Sequence, residues 1–117
     1  MAESLKILAQ AQLSALPVKI YEVPSRPLGQ NQERMQAIIR TMNISNLLGS
    51  TGIIKEINVV KSGESASDRN RLFYWSPLTA NQTRTAACGI TLSEGDSIIA
   101  SSLTGTISIS LFGVEMY

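Results

Sequence analysis

The C-terminal run TISISLFGV, Thr106 to Val114, alternates apolar and small polar residues with a period of two. That period is the side-chain repeat of a β-strand, because successive residues of an extended chain point to opposite faces. Ile107, Ile109 and Leu111 share one face, and Thr106, Ser108, Ser110 and Phe112 share the other. A strand of this kind must lay its apolar face on a core. Just upstream, Ser97–Ser102 shows a second β-rich run, and the expectation is that the two pair as a hairpin around Leu103-Thr104-Gly105. Ser93-Glu94-Gly95-Asp96 reads as a tight turn, with Gly95 free to take a positive φ.

The same pattern recurs along the chain. Val18–Val23, Ile53–Lys61, Arg71–Trp75 and Thr83–Leu92 read as strands. Glu33–Ser45 carries features of both helix and strand, and its Ile38-Ile39 pair, Thr41 and Ile44 favour a strand. Pro24, Pro27 and Gly29 mark a loop, Asn46–Gly52 is a turn-rich connector, Ser62–Asn70 is the expected mobile tip, and Pro77 is expected to end its strand. Residues 1–18 fit two patterns. Leu5, Leu8, Leu13 and Leu16 have helical spacing, while Leu5, Ile7 and Ala9 alternate as in an extended arm. Seven to eight short strands in 117 residues predict an all-β fold. The expected architecture is a single antiparallel β-sandwich, jelly-roll-like, over residues 19–117, with residues 1–18 as an extended N-terminal arm.

The chemistry available to this chain is narrow. It has no histidine, which removes the usual general base and the commonest metal ligand. Its single cysteine, Cys88, allows no intrachain disulfide and sits on an alternating run as a small hydrophobe would. Ten basic and nine acidic residues leave a net charge of +1, no electrostatic footprint for nucleic acid or an anionic membrane. No apolar run approaches the ~20 residues of a membrane span, and no signal peptide is evident. Glu94 and Asp96 flank Gly95 as turn residues rather than as a metal site. Many serines are present without a base to activate them. The expectation is a protein that is not an enzyme and needs no cofactor or metal.

Several short pieces carry a resemblance. They are Tyr21-Glu22-Val23-Pro24, Trp75-Ser76-Pro77-Leu78, Ala80-Asn81-Gln82-Thr83, Gly89-Ile90-Thr91-Leu92, Gly95-Asp96 and Leu111-Phe112-Gly113-Val114-Glu115. In this order they resemble small β-sandwich structural proteins of tailed-bacteriophage virions, most densely after Leu72. The resemblance implies a capsid decoration (cement) protein on the virion surface, assembled in the bacterial host cytoplasm. Its implied partners are the major capsid protein and further copies of itself, as symmetric oligomers that are often trimers. The alternative is a neck, tail or fibre domain that binds a host-surface glycan. No catalytic residues come with the family. The candidate contact residues are Leu5, Ile7, Leu8 and Leu13 of the arm, Arg69 and Arg71 of the charged stretch, and Phe73 and Trp75 of the aromatic run.

Overall fold

A computed structural model describes residues 6–24, 36–47, 49–65, 71–103 and 107–116. These residues form eight strands: β1 (Lys6–Gln12), β2 (Val18–Glu22), β3 (Gln36–Asn46), β4 (Gly52–Val60), β5 (Arg71–Leu78), β6 (Thr83–Ser93), β7 (Ser97–Ser102) and β8 (Ile107–Met116). They are ordered β1-β8-β3-β6 in one sheet and β2-β7-β4-β5 in the other, with every pairing among the described residues antiparallel. The order has a simple logic. β1 pairs with β8, β2 with β7, β3 with β6 and β4 with β5, as if one long hairpin were folded over into two layers. That is the jelly-roll arrangement, and the all-β sandwich expected from the alternation is the fold observed.

The core lies between the layers. Ile39, Met42, Ile44, Ile107, Ile109 and Leu111 project from the first sheet, and Ile54, Ile57, Ile98 and Ala100 from the second, all essentially buried. The inward phase of β3 changes midway, from Ala37 and Ile39 to Met42 and Ile44. The register against both neighbours shifts between Ile39 and Thr41, so Arg40 is an extra residue relative to β8, a β-bulge. Opposite it, the chains of β3 and β8 approach so closely that Gly113 has no room for a side chain. A Cβ built there would overlap the carbonyl oxygen of Ile38 and stand 3.0 Å from the Leu8 Cδ1.

Four expectations are corrected by this topology. Residues 6–12 are neither helix nor an arm outside the sandwich; they are β1, hydrogen-bonded to β8 at the edge of the first sheet. Leu13, at helical spacing with Leu5, is 1% exposed and part of the core, with its N–H donating to the Ile107 carbonyl. β7 and β8 do not form a hairpin, since they belong to different sheets. Alternation tells a strand which face is buried and is silent about its partner, and here each partner is far off in sequence. Pro77 does not end β5, which continues to Leu78 opposite Gly52. β5 is an edge strand, where a residue without an N–H breaks no inner ladder.

Candidate functional site

The two sheets are held together by polar clamps as well as by the core. At one end, Glu115 of β8 accepts a hydrogen bond from the Tyr21 hydroxyl of β2 and pairs with Lys6 Nζ of β1 at 2.8 Å. At the other end, Asn46, 1% exposed, donates from Nδ2 to the carbonyls of Ser50 (2.9 Å), Leu78 (3.0 Å) and Thr79 (3.2 Å). Along the side where β6 lies over β5, Arg84 donates to Ser76 Oγ and to the Pro77 carbonyl, each at 2.8 Å. Asp96 takes the structural role its turn position suggests. Its carboxylate accepts the N–H groups of Ser62 (2.9 Å) and Ser93 (3.0 Å), joining two connections. Gly95 beside it has φ 84°, a conformation that glycine adopts without strain.

Burial by itself would raise the Glu115 pKa, but the hydrogen bonds from Lys6 and Tyr21 outweigh it and hold the carboxyl below its ordinary value. Burial, with the hydrogen bond to Glu115, pushes the Tyr21 hydroxyl up, so it stays a donor at any physiological pH. Since the folded-state carboxyl is the stronger acid, it stabilises the fold above the usual carboxylate range. That contribution is lost as pH falls through the lowered value. Glu115→Gln is expected to flatten the decline of melting temperature between about pH 5 and pH 3. An identical acid profile for both proteins would show that the Lys6–Glu115–Tyr21 network contributes no stability.

The candidate contact residues do not form one patch. Ile7 is 54% exposed on β1, where it pairs with Phe112, and Leu8 beside it is packed against the core. Arg71 and Trp75 are on β5, at the opposite lateral edge of the sandwich and in the other sheet. Arg71 Nε donates to Glu56 Oε1 at 3.0 Å, so its charge is paired within the sheet. Trp75 is 47% exposed with φ 51°, and the register of β5 against β4 shifts at Leu72, which breaks the alternation between Arg71 and the aromatic run. The backbone of Phe73 lies opposite Ile57, while its side chain, with Leu5 and Arg69, falls outside the described residues. Cys88 is half-buried against the core with Sγ 3.6 Å from the Ile39 carbonyl, and burial pushes its thiol pKa up.

Two surfaces emerge that residue-by-residue reading missed. The first is the end of the sandwich where Gln12, Asn46, Leu78 and Ser102 finish their strands. The connections there, residues 13–17, 47–51, 79–82 and 103–106, contain no Asp, Glu, Lys or Arg. Leu16, Leu47 and Leu103 are exposed in three of them. The connections at the opposite end carry charges, among them Lys61, Glu64, Glu94 and Asp96. The signal was present in the sequence, but only the topology shows which loops share an end. The second is the outer face of the first sheet. It presents hydroxyls and amides, with Gln10 donating to Ser110 (3.3 Å) and Ser45 bonded to Thr83 (3.0 Å).

No protein-family model, curated protein or solved structure matches the chain. Among the described residues, no helix is long and apolar enough to cross a membrane.

Proposed function

We propose that this chain is a structural protein of a tailed-bacteriophage virion, a decoration subunit that binds the major capsid protein and other copies of itself. The virion assignment comes from the sequence resemblance. The structural observation that supports an assembly role is the polarised sandwich, with a neutral leucine-bearing end and a hydroxyl-rich sheet face. Both surfaces supply area and hydrogen bonds, which is what a building unit needs. Polar, wet contacts of this kind hold without being individually strong, and many copies on one shell act together. We assign the neutral end, with Leu16, Leu47 and Leu103, to the capsid protein, since apolar side chains grouped beside uncharged loops gain most from burial.

The second reading is a tail, neck or fibre domain, with the exposed Trp75 on β5 as a stacking surface for a host glycan. Antibody labelling of purified particles separates the two. Label over the whole shell supports decoration, and label confined to the tail supports the second reading. Absence of the chain from the particle overturns both.

A further inference from the structure

A sandwich has two edge strands per sheet, and each presents backbone N–H and C=O groups that can pair with another chain. Among the described residues the edges are β1 and β6 in the first sheet and β2 and β5 in the second. Three of them carry features that discourage such pairing. β1 has seven residues, begins with Lys6 and is bulged between Ile7 and Ala9. β2 has five residues, is irregular between Lys19 and Tyr21, and carries the exposed Lys19–Glu22 ion pair at 2.6 Å. β5 contains Pro77 and the positive φ of Trp75.

β6 is different. It is 11 residues long and contains neither proline nor lysine, and its outward residues Thr83, Thr85, Ala87, Gly89 and Thr91 are all exposed. Its register with β3 sets Cys88 and Gly89 opposite Arg40 alone, so β6 also carries one extra residue, yet exposure alternates without a break from Thr83 to Thr91. Its one charge, Arg84, points inward and is spent on Ser76 and Pro77. Nothing on this edge repels another strand.

We infer that β6 pairs antiparallel with β6 of a second copy, around a two-fold axis near Ala87, joining two four-stranded sheets into one of eight. Self-pairing follows from the edge itself. Among the described edges, the one that is long and free of proline and lysine is β6, so its match in an identical chain is another β6. In this register Thr83 faces Thr91 of the partner copy, Ala87 faces itself, and Arg84 faces Ile90. Thr–Thr neighbours across strands are favourable, and no charge meets its like. The inference rests on the proposed self-association only in choosing a second copy as the occupant. It makes the elementary contact two-fold.

A charge swap at Ala87 tests it. The side chain is exposed, so Ala87→Asp and Ala87→Lys leave the core intact, and a thermal melt of each confirms folding. Mass is measured by light scattering for the native chain, each variant and their equimolar mixture. The expected result is a native dimer, dissociation constants raised about 100-fold or more in each variant alone by like charges set face to face, and dimer restored in the mixture. A native monomer overturns the inference, as does a native oligomer whose mass neither substitution changes or whose loss the mixture does not reverse. Particles that still bind a monomeric native chain would overturn the pairing alone and leave the virion reading standing.

Discussion

Gly113→Ala is expected to destabilise the fold by about 3 kcal/mol, the upper range for forcing atoms into a packed interior. A Cβ at this position meets the Ile38 carbonyl oxygen, which is backbone and cannot rotate away, and then the Leu8 side chain. Relief would require β3 and β8 to separate at the bulge, where Ile39 and Gly113 face each other in the centre of the first sheet. The loss is a large share of the roughly 5–15 kcal/mol that holds a domain together. Urea unfolding of the variant beside the native chain measures it. A midpoint within error of the native value would mean that β3 and β8 do not approach as described.

Asn46→Asp is expected to cost as much or more, about 3–5 kcal/mol, through a different cause. The native amide gives its hydrogens to the carbonyls of Ser50, Leu78 and Thr79 in a site closed to water. A carboxylate of nearly the same shape would aim negative oxygen at those carbonyl oxygens and bury an unpaired charge. Asn46→Ala removes the donors without adding charge and is expected to cost less, about 1–3 kcal/mol. The order of the two variants is therefore the informative result. Equal losses would mean that the site is wet enough to solvate a carboxylate.

The positions of the strands were legible because alternation marks a half-buried strand whatever its neighbours are. The C-terminal alternation places Ile107, Ile109 and Leu111 in the core and Ser108 and Ser110 on the outer face, and the structure does the same. The pairing was not legible. β7 and β8 are separated only by residues 103–106, which invites a hairpin, yet β7 lies between β2 and β4 while β8 lies between β1 and β3. Local spacing carries no information about partners dozens of residues away.

The same limit governs the surfaces. Trp75 and Ile7 were singled out as contact residues and both are exposed, but the two sheets place them at opposite edges. Leu13, a candidate contact residue at helical spacing with Leu5, Leu8 and Leu16, instead fills the core. Arg84 could have been found from the sequence. Its parity puts it on the inward face with Ala86, Cys88 and Ile90, and an inward guanidinium needs acceptors, which Ser76 and Pro77 provide. The neutral end could not, because it is assembled from four connections that only the topology brings together.

The most direct test of the assembly role is copy number. The proposed role implies a phage particle that carries this chain, and such particles, purified and resolved on a quantitative gel against the major capsid protein, give the ratio of the two. Decoration of the shell predicts hundreds of copies per particle, in a fixed ratio to the capsid protein. A handful of copies, or none, would contradict it.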